Sequence, residues 1–359
     1  MNNLIFVDHT SKLGGGELAL SRYLTWEDRG RHIDLILFEE GTLAEIGRNA
    51  SNVTVHMISQ KNKIARLLHL WLLISRLKGP VLANSLSAYV HLSFIPGALN
   101  RTIYYLRHEA IKPDTGPLKS LYLRRYAFVQ TRCFFANSEY TKLTLRKNAY
   151  IKKCKVVYTV SGIGENDVVS QVHVFSQPIK LLSLSRLAPW KGVHNIIDAV
   201  NRVNEEYGCV KVHLTVAGGA LFGEDQYQKY LEDVAKKSQG GITLLGNVKD
   251  IKPLLSNHDV LISASIKPEP FGQVLVQGLS AGLLTIGTAQ GGATEIVSNG
   301  VTGYLLKPDD VQAVVTILKS LVENELDVHL IRESGAESSR RFTDEKMLPL
   351  LESAINEIE

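Results

Sequence analysis

The sequence predicts an α/β protein built from two doubly wound parallel-sheet domains, and three observations carry that prediction. Short apolar runs recur along the whole chain with helix-length amphipathic stretches between them, the pattern of strands joined by crossover helices. A length of 359 residues suits two domains better than one or three, at roughly 100 to 200 residues each. Residues 161–178 cluster Gly, Ser, Gln and Pro without helical periodicity and divide the runs into two sets.

In chain order the first set reads LIFV at 4, IDLILF at 33, VLAN at 81, TIYYL at 102, CFFANS at 133 and KVVYTV at 155. The second repeats the grammar with IKLLSLS at 179, VHLTVAGG at 212, ITLLG at 242, VLISAS at 260, LLTIGT at 283 and GYLLK at 303. Helices are predicted for Gly192 to Tyr207, Asp225 to Ser238 and Gly272 to Ala281, with a last one over Asp344 to Ile358. The expected division is residues 1–165, residues 178–340 and a terminal segment 341–359.

Hydrophobic residues make up 45% and charged residues 21%, ordinary globular usage that argues against a disordered or coiled-coil chain. The longest apolar run, Leu67 to Ile74, is interrupted by His69 and falls well short of the roughly 18 residues of a bilayer span. The opening MNNLIFVDHT lacks the basic flank and apolar length of a secretory leader, and Cys133, Cys154 and Cys209 show no CxxC spacing. The expectation is a cytoplasmic protein without a disulfide framework or structural zinc.

The net charge of +4 hides an asymmetry: residues 1–165 hold 23 Lys and Arg against 12 Asp and Glu, and the remainder 17 against 24. Most of the excess lies in residues 101–155, where Arg124, Arg125, Lys152 and Lys153 are among 13 cations facing only Glu109, Asp114 and Glu139. This predicts that the first half faces something anionic, unless the charges are merely a solvated surface. The segment Lys61 to Lys78 sets cations at both ends of an apolar centre. It reads either as a peripheral membrane helix or as a buried helix with solvated ends.

Ligands of open α/β sheets sit beyond the carboxyl ends of the strands, so residues just after each run are the candidates for chemistry. After the first run the chain passes Asp8 and reaches Gly14-Gly15-Gly16 at a helix start, where bare backbone can approach an anion. No GxGxxG and no P-loop pattern occurs. Arg186 and Lys191 follow IKLLSLS five residues apart and can grip a diphosphate whose charge grows as a bond breaks. Glu269-Pro270-Phe271-Gly272 follows VLISAS and precedes the helix from Gln273, joining a carboxylate to first-turn N–H groups, a combination that suits sugar hydroxyls. Gln273 and Gln277 share a helix face.

SRLAPWKG, VAGG, LLGNV, EPFGQVLVQGLSAG and GGATEIVSNGVTGYL, in that order, strongly resemble the retaining glycosyltransferases of family 4, whose two-domain fold is called GT-B. GGGE, the His of YYLRHE, ANSEYTK and VVYTVSGI agree more loosely, and RFTDEKM resembles the family's terminal helix, which packs back toward the first domain. The resemblance implies two Rossmann-like domains facing a cleft, acceptor on the first and nucleotide sugar on the second. It implies that Arg186 and Lys191 hold the diphosphate and that Glu269 contacts donor-sugar hydroxyls. Phe271 and Gly272 would add backbone contacts. Gln277 stands where the family has a second Glu that binds the ribose. Asn247 and Val248 match backbone positions beside the base, and Gly218 lies in the preceding loop. Gly15 and Gly16 would approach the phosphates or sugar, and His108 matches a histidine close to the reacting carbon. Glu295 would touch the donor or cap its own helix.

The implied activity is retaining, metal-independent transfer of a hexose from a nucleotide diphosphate sugar, UDP-glucose first, to a saccharide or lipid-linked saccharide in polysaccharide assembly. The leaving phosphate would help deprotonate the acceptor hydroxyl on the same face. No cofactor is expected, and the absence of D-x-D leaves charge neutralisation to Arg186 and Lys191. A non-catalytic subunit and a sugar-nucleotide epimerase of the same fold are the alternatives. Nucleic acid is not an expected partner, whereas the inner face of the cytoplasmic membrane is a possible one. Glu269→Ala and Lys191→Ala are expected to lower turnover without unfolding the protein.

Overall fold

In a computed structural model, residues 3–111, 115–148, 154–175, 177–221, 223–238 and 240–358 are described. Asp114, Lys152 and Lys153 of the basic region lie outside them. The chain forms two compact units, residues 1–162 with 344–359, and residues 163–343.

The first unit holds a seven-stranded sheet of β1 (Asn3–Asp8), β2 (His32–Leu37), β3 (Val53–Met57), β4 (Val81–Ala83), β5 (Thr102–Leu106), β6 (Cys133–Ala136) and β7 (Cys154–Val156). Its order is β3-β2-β1-β4-β5-β6-β7, with parallel pairings throughout. The second unit holds β8 (Ile179–Leu184), β9 (Val212–Ala217), β10 (Ile242–Gly246), β11 (Val260–Ile262), β12 (Leu284–Thr288) and β13 (Tyr304–Leu306), in the order β10-β9-β8-β11-β12-β13 and again parallel. Each sheet reverses its winding once, between β1 and β4 and between β8 and β11, and these two places are the topological switch points of the fold.

Central parallel strands are covered on both faces, which is why they read as unbroken apolar runs: Leu4, Ile5, Phe6 and Val7 are at most 1% exposed. The strand absent from the sequence reading, β3, is an edge strand whose residues are only half-buried, so VTVHM carries no such run. KVVYTV has the pattern of a strand throughout, but β7 ends at Val156; beyond it the Val157 carbonyl accepts a hydrogen bond from the Tyr105 hydroxyl at 2.6 Å.

Right-handed crossovers put the helix Lys63–Arg76, the helix Leu86–Ser93 and the helical stretch from Pro117 to Gln130 on one face of the first sheet. Leu70, Ile74, Tyr89, Leu92, Leu123 and Phe128 accordingly share one core with Val7, Ala83 and Tyr104. The terminal helix Asp344–Asn356 belongs to this unit. It buries Met347, Leu348, Leu351 and Ile355, and its Glu352 accepts hydrogen bonds from Tyr23 Oη at 2.5 Å and Arg31 Nε at 2.6 Å. Residues 163–175, expected as linker, are tied into the second unit: the Val169 N–H donates to the Ser280 carbonyl, and Arg332 Nη1 donates to the His173 carbonyl at 2.7 Å.

Arg31 is 2% exposed at its side chain, so Glu352→Ala removes the carboxylate that balances a buried guanidinium. A loss of about 3 kcal/mol in unfolding free energy is expected from denaturant titration, far more than an exposed ion pair contributes.

Candidate functional site

The second switch point brings together residues from the loops after β8 and β11. Lys191 Nζ lies 2.7 Å from Glu269 Oε1, and the two side chains are 14% and 13% exposed. The same oxygen accepts hydrogen bonds from Ser263 Oγ at 3.2 Å and from Ser265 Oγ. Glu269 Oε2 has no hydrogen-bond partner among the described residues, so one oxygen anchors the carboxylate and the other keeps its acceptor capacity. Burial pushes the Glu269 carboxyl up, but the Lys191 charge, with the hydrogen bonds from Lys191, Ser265 and Ser263, outweighs it and holds the pKa below its ordinary value.

The loops are locked where backbone meets backbone. Gly192 takes φ 68°, and a Cβ there would lie 2.1 Å from the Ala264 carbonyl oxygen. A Cβ on Gly291 would meet the Glu269 carbonyl oxygen at 2.3 Å, while the Gly292 N–H donates to that carbonyl at 2.8 Å. The Ile266 N–H donates to the Trp190 carbonyl at 2.7 Å, and Gln290 Nε2 donates to the Ser265 and Ile266 carbonyls. Trp190 sits beside both cations, its ring centroid 4.5 Å from Lys191 Nζ and 5.6 Å from Arg186 Cζ. Arg186 Nη1 is held 2.8 Å from Glu224 Oε1.

The remaining predicted residues of this unit line neighbouring strand ends. Gly218 follows β9 with its N–H donating to the Gly246 carbonyl at 2.7 Å; Asn247, exposed, and Val248, half-buried, follow β10. Phe271 is 3% exposed and packs edge-on against Phe342. Gly272, at φ 111°, starts the helix Gln273–Ser280; Gln273 is half-buried, whereas Gln277 is 6% exposed. The Glu295 carbonyl accepts from Arg341 Nη2 at 2.6 Å. A shallow pocket adjoins Ser263 and is lined further by Asn195, Thr288, Lys307 and Asp309.

The first unit repeats the principle at its own switch point with residues that sequence reading did not select. Asp8 Oδ2 accepts from Asn84 Nδ2 at 2.6 Å, and Asn84 Oδ1 accepts from Arg107 Nε at 3.0 Å, Arg107 lying 3.7 Å from the Tyr105 ring centroid. His9 Nδ1 is 3.1 Å from Asp8 Oδ1 and 2.8 Å from Ser85 Oγ. All of these residues follow strand runs, which is the signal that would have found them. Gly15 is exposed and Gly16 half-buried; a Cβ on Gly16 would touch Arg107 Cγ at 3.4 Å. His108 is exposed next to Arg107. Burial pushes Glu17 up, and the Asp8 charge adds to it. Burial lowers His9, but the Asp8 hydrogen bond and the charges of Asp8, Glu17 and Glu39 outweigh it and leave the imidazole above 6.5.

Residues 166–338 match the sequence model of the group 1 glycosyl transferases. The chain is 24% identical over 298 residues to an N-acetyl-alpha-D-glucosaminyl L-malate synthase of Bacillus anthracis, an alignment covering 83% of this chain and 68% of that one. It is 26% identical over 159 residues to the amylovoran biosynthesis glycosyltransferase AmsK of Erwinia amylovora, covering 42% of this chain and 38% of that one. Among solved structures, Anabaena Alr3699/HepE in complex with UDP and glucose superposes with a TM-score of 0.84 at 23% identity, covering 98% and 99% of the two chains. A glycosyltransferase from Rickettsia africae superposes at 0.80 with 20% identity, covering 99% and 98%. These likenesses identify the fold as GT-B.

The pair Lys191 and Glu269 is too far from water for its disruption to be neutral, so a Glu269 variant that keeps its fold is expected to do so with reduced stability. Glu269→Gln is expected to lower stability by about 2 kcal/mol in urea titration, because Lys191 keeps its charge without a counter-charge. Since the folded pKa of Glu269 is depressed, its contribution is present above the ordinary value of 4.5 and is lost as pH falls from there through the folded pKa. The wild-type and Glu269→Gln stability curves should therefore converge on acidification. For His9, ring-proton NMR should give a midpoint above 6.5, falling in Asp8→Asn.

Proposed function

We propose, from the match of residues 166–338 to the group 1 glycosyl transferase model, that the chain transfers a hexose from a nucleotide diphosphate sugar to a saccharide or lipid-linked saccharide hydroxyl, with retention of configuration. The observation that carries this reading is the second switch point: a carboxylate with one oxygen anchored and one open, beside two cations on a shared indole. Glu269 Oε2 accepts from sugar hydroxyls while Oε1 keeps the side chain in place. Lys191 has further ammonium hydrogens for a phosphate oxygen while it holds Glu269, and Arg186 can exchange Glu224 for the diphosphate.

UDP and glucose are the favoured donor components, supported by their presence in the superposable Anabaena protein. Bond cleavage leaves negative charge on the departing phosphate. Arg186 and Lys191 stabilise that charge, and its oxygen takes the acceptor's proton on the face from which the nucleotide leaves. No metal is needed in this scheme. Gln277, one helical turn after Gln273, would meet the ribose with its amide.

Calorimetry with UDP-glucose in EDTA tests the reading. Binding should persist without divalent ions, with slow release of glucose when no acceptor is present. Lys191→Ala should weaken binding by about 2 kcal/mol, roughly thirtyfold in Kd. Metal-dependent binding contradicts the proposed charge neutralisation, and binding without any turnover on a range of saccharides favours a non-catalytic subunit.

A further inference from the structure

The helix Lys63–Arg76 uses only part of its circumference against the sheet. Leu70 and Ile74 are buried, whereas Ile64, Leu68, Trp71 and Leu72 are 70%, 55%, 43% and 45% exposed. Their spacings of three and four residues make one apolar stripe on the outward side. The same helical layer repeats the feature beyond Leu86–Ser93. Phe94 is 58% exposed and stacks on Tyr122, and Leu118, Leu121 and Val129 are 83%, 56% and 69% exposed. Both apolar rows belong to helices packed on one face of the first sheet through one core.

Cations edge both rows. Lys61 and Lys63 stand at the start of the first helix and Arg76 and Lys78 at its end, while Arg124 and Arg125 flank the second row; all are exposed and none has an acidic partner among the described residues. From residue 58 to residue 132 the sequence carries twelve Lys and Arg against Glu109 and Asp114. Two exposed apolar rows on one helical layer are uncommon on a soluble surface, and a rim of one sign repels a second copy of itself. An anionic lipid surface answers both features, offering apolar depth to the Leu and Trp side chains and phosphates to the rim. No helix among the described residues is long and apolar enough to cross a membrane.

We propose that this helical face of the first unit docks on an anionic membrane, with Ile64, Leu68, Trp71 and Leu72 entering the boundary between headgroups and acyl chains. In this proposal the two readings of Lys61 to Lys78 describe two sides of one helix, a packed side at Leu70 and Ile74 and a docking side at Ile64, Leu68, Trp71 and Leu72. The proposal does not depend on the transferase reading, since docking is measured without any nucleotide sugar.

The test is flotation of the full-length protein with phosphatidylcholine vesicles, with and without phosphatidylglycerol. Binding is expected only when phosphatidylglycerol is present, with a blue shift of tryptophan emission and release by salt. Leu68→Ser/Trp71→Ser and, separately, Arg124→Ala/Arg125→Ala should each weaken it about tenfold. Both pairs are exposed, and unchanged circular dichroism and melting will show that they fold; the arginine pair remains informative if the first does not. Absence of binding, equal binding to neutral vesicles, or unaltered binding by both folded variants overturns the proposal. So does concentration-dependent self-association, seen by light scattering, that Leu68→Ser/Trp71→Ser abolishes in a protein that ignores vesicles.

Discussion

The contact between Lys191 and Glu269 joins residues 78 positions apart and fixes the geometry of the second unit where its sheet reverses direction. An ion pair mostly removed from water is a poor source of stability, because desolvation offsets much of its attraction. Its retention in a loop-to-loop position, with two serines holding one carboxylate oxygen, is understandable if the other oxygen and the ammonium have a ligand to meet. The surroundings conform to this pair. Gly192 and Gly291 give up side chains so that backbones can pass within contact distance, and Gln290 and Trp190 tie the two loops together. The energetic cost of an awkward polar cluster is thus concentrated at the place where a parallel sheet accepts ligands.

The first unit follows the same plan with different chemistry. Asp8, Asn84 and Arg107 form a buried chain of hydrogen bonds across the ends of β1, β4 and β5, and Glu17 and Glu39 add negative charge around His9. The strand ends of this unit are therefore not where its positive charge is concentrated. Exposed cations stand on the helices that cover one sheet face. Separating these two regions changes what the basic first half means: the strand-end cluster of carboxylates, imidazole and hydroxyl suits a polyhydroxylated ligand, and the cationic helices suit an extended anionic surface.

Much of the fold was legible because buried parallel strands leave unbroken apolar runs; the four inner strands of the second unit are marked in this way, and its half-buried edge strands β10 and β13 keep short apolar runs, ITLLG and YLL, that still show. β3 was not, since an edge strand needs only one covered side, and KVVYTV overran β7 because its later residues are apolar for packing rather than pairing. At the site, spacing and residue type singled out Arg186, Lys191 and Glu269, but nothing local in the sequence reveals that Lys191 reaches across 78 residues to Glu269 or that Glu224 holds Arg186. Ser263 and Ser265 were hidden for a related reason: VLISAS reads as strand, whereas pairing ends at Ile262 and both serines turn to the carboxylate. In the first unit, nothing local marks Asp8, Asn84 and Arg107 as partners, because their contacts join the ends of three separate strands.

Amide hydrogen exchange with and without saturating UDP-glucose tests most directly whether the second switch point is the donor site. Slower exchange is expected in the two peptides spanning residues 185–192 and 263–273, because a bound diphosphate and sugar would order both loops together. Unchanged exchange in those peptides, with protection confined to the neighbouring pocket around Lys307 and Asp309, would contradict the assignment.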